Sequence, residues 1–185
     1  MISGNDILTA RLKLRQWRDE DLPLFARMSN DPRVMAYFPN LLTQQQSDEL
    51  ARHLAQKIHQ QGWGVWVIET LGTRRFVGIA GLNSVADNLP FSPAVEALWR
   101  VDPALWRLGY GYEAAHAALQ FGFESLALDG IVALTHTGNL PSISLMQKLG
   151  MTCHGEFEHP ALPVAHRLRP HVLYRLAKEA QAIPV

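Results

Sequence analysis

The sequence predicts a mixed α+β fold: a mostly antiparallel central sheet of about seven strands, flanked by helices. Three β-rich runs follow one another at residues 63–69, 75–85 and 94–101, separated only by turn chemistry at Leu71-Gly72 and across residues 86–93. That is the pattern of an antiparallel meander. A segment of helical period then leads to another buried-looking run at residues 131–136, and only a crossover helix joins neighbouring parallel strands. Two further helical segments with start and stop signals precede the meander.

The elements can be justified in order. Residues 8–17 alternate Leu8, Ala10, Leu12 and Leu14 with polar neighbours, the period of a half-buried strand. Residues 19–29 set Leu22, Phe25 and Met28 on one helical stripe, and Asp31-Pro32 ends it because the residue before proline avoids the α region. Thr43 and Gln46 form a capping box, Leu50, Leu54 and Ile58 recur at i+4, and Gly62 supplies the stop. After the meander, residues 111–126 align Tyr112, Ala115, Leu119, Phe123 and Leu126, with Glu113 favoured in the first turn. A strand at 131–136, a helix at 141–149 stopped by Gly150, and strands at 151–157 and 171–176 complete the chain.

Length and composition set the class. The 185 residues are expected to form one domain spanning 1–185 with a core of about 7–178, large enough to fold without staples. Residues 1–6 and 184–185 are expected to fray. Seventeen basic residues balance seventeen acidic ones, so no nucleic-acid partner is expected. No apolar run approaches the roughly 18 residues that span a bilayer, and the N-terminus lacks a signal peptide's apolar stretch. The single Cys153 cannot form an intrachain disulfide, which points to a cytoplasmic setting. His154, His159, His166 and His171 lack ligand-like i, i+4 pairing, so no metal is expected.

Chemistry concentrates between the third meander strand and the following helix, at Trp106-Arg107-Leu108-Gly109-Tyr110-Gly111-Tyr112. Two glycines at a helix N-terminus let backbone N–H groups approach an anion closely, and Arg107 can add charge. A tight turn alone would also use these glycines. The run Gly109 to Ala114 satisfies a dinucleotide fingerprint literally. Its context does not, because that fingerprint opens the first βαβ unit and Asp129 precedes its strand.

Five segments in this order resemble the GNAT acetyltransferases, and within them the ribosomal-protein N-terminal acetyltransferase branch. They are residues 12–15, 31–35, 95–99, 106–114 and 139–151. The resemblance implies the GNAT fold, with the sheet splayed between the strands at 94–101 and 131–136, and acetyl-CoA as co-substrate. The family signature Q/R-x-x-G-x-G/A aligns at Trp106 to Gly111, with Trp106 in place of Gln/Arg and Leu108 where a basic residue is usual. Cofactor contacts are thereby implied for Trp99, Val101, Trp106, Arg107, Leu108, Gly109, Tyr110, Gly111, Tyr112, Asn139 and Ser142.

The implied reaction is direct attack of a primary amine, on a small molecule or a peptide N-terminus, upon the thioester. Many members place a tyrosine where Met146 stands, so Ser142 is the branch's alternative for assisting the departing thiolate. A helix-end serine that satisfies backbone donors is the other reading of Ser142. Glu96 is the first candidate base and His136 the second; a partnered strand glutamate and a satisfied strand-end histidine are the structural alternatives. Cys153 lacks a catalytic context. Tyr37-Phe38, Trp63 to Trp66 and the Pro- and His-rich loop near 159–170 are read as an acceptor rim or as core packing. A CoA-binding module without transfer is the competing function, and a homodimer is admitted.

Overall fold

The computed structural model describes residues 6–178; the chain ends expected to fray lie, except for Asp6, outside them. Eight strands run as β1 (Ile7–Leu8), β2 (Leu12–Arg15), β3 (Val65–Thr70), β4 (Phe76–Ser84), β5 (Val95–Val101), β6 (Gly130–His136), β7 (Thr152–Glu158) and β8 (Pro170–Ala177). Four helices interleave them: α1 (Leu22–Ser29), α2 (Gln44–Gln61), α3 (Tyr110–Glu124) and α4 (Leu140–Lys148). The sheet order is β1-β2-β3-β4-β5-β6-β8-β7, antiparallel throughout except for β5 beside β6.

The expected first strand is instead a small hairpin. Leu12 and Leu14 are buried as the alternation requires, but Leu8 is exposed and Ala10 sits in the bend between β1 and β2. The cause is Thr9, whose N–H reaches Leu12 O at 2.9 Å while its Oγ1 donates to Glu113 of α3 at 2.6 Å. A distant carboxylate thus ends the strand early. The first helix likewise begins with one 3-10 turn at Asp19–Asp21 before α1. Helix α2 begins and ends as read, with Thr43 and Gln46 bonded reciprocally and Gly62 left-handed at φ 82°.

Neighbouring β4 residues show which helices cover which face. Leu82 clusters with Ala97 and with Ala115 and Leu119 of α3, together with Met146 of α4. Asn83 points the other way and meets Lys57 of α2. Side chains alternate along a strand, so α3 and α4 cover one face and α1 and α2 the other. Trp66 is fully buried with its ring edge-to-face on Phe121 of α3 at 5.2 Å. It belongs to the core and not to a pocket rim.

The parallel pairing of β5 with β6 is confined to one position, Glu96 opposite Val132. By contrast β4 and β5 pair over seven positions from Gly78–Val101 to Ser84–Val95. The sheet is therefore closed on either side of β5 and β6 but barely stitched between them, and a V-shaped gap opens where their strands part.

Candidate active site

One wall of the gap continues into the turn before α3. After Val101, residues Pro103–Leu105 form a 3-10 turn, Arg107 takes φ 62° and Gly109 φ 82°, and α3 starts at Tyr110. A non-glycine residue in the left-handed region is uncommon. The N–H groups of the six residues Arg107, Leu108, Gly109, Tyr110, Gly111 and Tyr112 find no acceptor among the described residues. Unpaired amides at a helix N-terminus form an anion site.

The turn is held from behind. Arg11 donates to Leu108 O at 2.9 Å, lies over the Tyr110 ring at 4.8 Å, and bonds Glu113 through Nε at 2.7 Å and its own N–H at 2.8 Å. Trp106, though exposed, folds back to donate Nε1–H to Val101 O at 2.8 Å, so this side chain braces the strand end. A Cβ placed on Gly111 would touch Val101 and Leu145 at 3.6 and 3.7 Å. That position lies where β5, α3 and α4 converge.

Across the gap, α4 is capped by Asn139. Its Oδ1 accepts from Ser142 N–H at 3.4 Å and its Nδ2 donates to Thr135 Oγ1 on β6 at 2.8 Å. The Ser142 hydroxyl makes no hydrogen bond among the described residues. It is not the cap. Its hydroxyl stands free at the α4 N-terminus, on the opposite wall from the amide cradle. Met146 is buried in the core behind it.

Glu96 lies at the apex, at the one position where β5 and β6 pair. Asn83, directly across on β4, donates Nδ2–H to Glu96 Oε1 at 3.1 Å and accepts from Lys57 Nζ at 2.8 Å. Burial pushes the carboxyl above the usual carboxylate range, partly offset by the Asn83 bond and by Lys57. Such a group holds a proton more readily than a surface glutamate.

His136 is engaged on both nitrogens. Gly138 N–H donates to Nδ1 at 3.0 Å, which leaves the ring proton on Nε2 facing Arg167 O at 3.1 Å. The ring also stacks on Tyr37, whose hydroxyl donates to Gly138 O at 2.8 Å. The segment between α1 and α2 therefore straps across the gap: Tyr37 fastens to β6, and Phe38 covers Arg100 of β5 at 4.4 Å. Sequence reasoning placed Tyr37-Phe38 here but missed Lys57, Asn83, Arg11 and Arg100. Only strand register and helix docking bring those four to the site. The cross-strand Asn83–Glu96 pair was the one signal the meander held.

The family model described as "Acetyltransferase (GNAT) domain" matches residues 11–152. The chain belongs to the GNAT acetyltransferase family. Among relatives of this GNAT chain, YkkB of Bacillus subtilis (strain 168), itself uncharacterized, is 32% identical over 82% of this chain and 87% of its own. YoaA of the same strain, named an N-acetyltransferase, is 30% identical over 80% and 82%. A GNAT acetyltransferase structure from Bacillus anthracis superposes with a TM-score of 0.80 at 23% identity, covering 94% of this chain and 99% of the other. RimL, a ribosomal L7/L12 acetyltransferase solved with coenzyme A, gives 0.76 at 14%, covering 95% and 99%.

These neighbours show the GNAT fold, and the family supports binding of acetyl-CoA and transfer of its acetyl group. Unpaired amides at a helix N-terminus can hold an anion such as a pyrophosphate, and the gap between β5 and β6 lies beside them. Among the described residues no group of three or more His, Cys, Asp and Glu could hold a metal ion. Among the described residues no helix is long and apolar enough to cross a membrane.

Proposed function

We propose that this protein is an N-acetyltransferase that moves the acetyl group of acetyl-CoA to a primary amine, on a small molecule or a peptide N-terminus, by direct attack. The observation that carries this reading is the run of six amides at the α3 N-terminus with no partner among the described residues, directly after β5, together with Glu96 at the single β5–β6 bridge and the Ser142 hydroxyl at the α4 N-terminus. When bound, acetyl-CoA supplies an acyl carbon activated by a thiolate leaving group.

The chain's own residues do the rest. The amides of residues 107–112 hold the anionic end, with Trp99 and Val101 on β5 and Asn139 on α4 flanking the path inward. Glu96 takes the proton of the acceptor ammonium. At a lysine-like pKa of ~10.4 that proton costs about 4–5 kcal/mol to remove at pH 7, and a half-buried carboxylate with a raised proton affinity lowers the cost. Ser142 donates a hydrogen bond to the departing sulfur, a contact that strengthens only as charge develops. His136, with both nitrogens bonded to backbone, locks the β6–α4 turn and offers no free lone pair. Glu96 is the better base.

Thiol release from acetyl-CoA, measured with a panel of primary amines alongside acetyl-CoA binding, tests this. Glu96→Gln keeps the shape and should lower kcat/KM about a hundredfold near pH 7. The defect should shrink toward pH 10, where the amine deprotonates unaided. An equal defect at every pH would make Glu96 a support for the strand, and binding without turnover on any amine would favour a silent CoA module.

A further inference from the structure

Arg100 is the charged group that the reaction above leaves unused. It stands on β5 opposite Ile79, on the same face as Glu96 and Leu98, beneath the Tyr37-Phe38 strap. The Phe38 ring covers its guanidinium at 4.4 Å, Phe25 of α1 lies at 5.7 Å, and the one polar contact among the described residues is a long 3.4 Å approach to Ser29 Oγ. No carboxylate pairs with it among the described residues, and desolvation holds its pKa down to about 10. Carboxylates on flanking segments are taken: Asp31 by Arg33 at 2.6 Å, Asp102 by Arg27 and the Ala104 N–H, and Glu96 by Asn83.

Arg100 is half-buried, and a desolvated cation without a counterion is costly to hold unless something outside the resting fold completes it. Aromatic rings engage the face of this guanidinium. Its edge keeps the fork of N–H donors that matches a carboxylate bidentately. We infer that Arg100 binds a carboxylate of the acceptor, so that the favoured substrates are amines that also carry a carboxylate, such as amino acids or short acidic amines.

The position suits this. Four residue steps of strand carry the chain from Glu96 to Arg100, about 13 Å between Cα atoms, along the edge where β5 parts from β6. The acceptor's ammonium is drawn toward Glu96 and its carboxylate toward Arg100, which orients the amine. The same arginine repels acceptors that are purely cationic, so polyamines are selected against.

The inference rests on the acetyl-transfer reading, and its test separates the two. Acetyl transfer would be measured on L-amino acids and β-alanine, each beside its uncharged amide, for the native protein, Arg100→Gln and Arg100→Lys. The native protein should prefer the acids. Arg100→Gln should reduce the acid-to-amide ratio of kcat/KM at least tenfold, mainly through KM, with Arg100→Lys intermediate because it keeps the charge and loses the fork. A ratio unchanged by Arg100→Gln overturns the inference, as does an equal loss on acid and amide, which would mark a residue that merely holds the strap. Loss of acetyl-CoA affinity with the ratio intact would place Arg100 on the cofactor and also overturns it. So does failure of the native protein to use any carboxylate-bearing amine. In that case transfer to the amides shows that acetyl transfer itself stands, and its absence shows that both readings fail.

Discussion

Ser142 and Asn139 divide between them the work that one helix-end residue often does. Asn139 satisfies the α4 backbone and ties it to Thr135, which leaves the Ser142 hydroxyl without a partner among the described residues. Ser142→Ala should therefore slow transfer on the order of tenfold to a hundredfold while leaving acetyl-CoA affinity nearly intact. Single-turnover rates and equilibrium binding measured on the same variant check this, and an unchanged chemical step would return Ser142 to a purely structural place. The sequence showed a serine three residues after an asparagine at a helix start. It could not show which of the two caps the helix, because that depends on side-chain rotamers that both residue types allow. Glu96 was legible as a carboxylate in a strand, whereas Lys57, which steadies its partner Asn83, comes from a helix 26 residues before that asparagine.

At the scale of elements, the hairpin β1–β2 is part of the cradle's support. Glu113 on α3 accepts from Thr9 Oγ1, Arg11 N–H and Arg11 Nε, and Arg11 in turn holds Leu108 O. Burial raises the Glu113 carboxyl, but the bonds from Thr9 and Arg11 outweigh it and the net pKa falls below 4.5. A depressed carboxylate contributes stability that is full above the ordinary pKa and is lost as pH falls through the lower folded value. Glu113→Gln should then cost about 1–2 kcal/mol near pH 7, discounted for the half-exposed arginine. Its penalty should fade as pH falls below about 4, and acetyl-CoA affinity should weaken. Denaturant melts across pH check it, and a pH-independent deficit would contradict the ionic origin. Local signals placed α2, α3, the meander and the βαβ crossover within a residue or two, because caps and periodicity are encoded locally. The hairpin escaped because a residue 104 positions away bends it.

For the whole molecule, the decisive feature is that β1 to β5 and β6 to β8 share one parallel bridge, Glu96–Val132, plus helices and the Tyr37 strap. A ligand lodged in that gap contacts both halves in the native state and neither when unfolded. Acetyl-CoA at about a hundred times its Kd should therefore stabilise by ~2.7 kcal/mol, a rise in Tm of roughly 5–11 °C for a chain of this size. Gly111 offers the control. Its site accepts a Cβ at ordinary contact distance from Val101 and Leu145, so Gly111→Ala should fold. Gly111→Val adds two further carbons at the first turn of α3, beside Val101, Leu145 and the amides of residues 107–112. Gly111→Val should then keep a native-like melt without ligand and lose most of the acetyl-CoA shift, while Gly111→Ala keeps a reduced one. Thermal scans of the three proteins over a range of acetyl-CoA concentrations decide the matter. A full shift in Gly111→Val would move the pyrophosphate site away from the α3 N-terminus. A shift lost together with the native baseline would mean only that valine breaks the helix start, and Gly111→Ala would then carry the test by its own change in Kd.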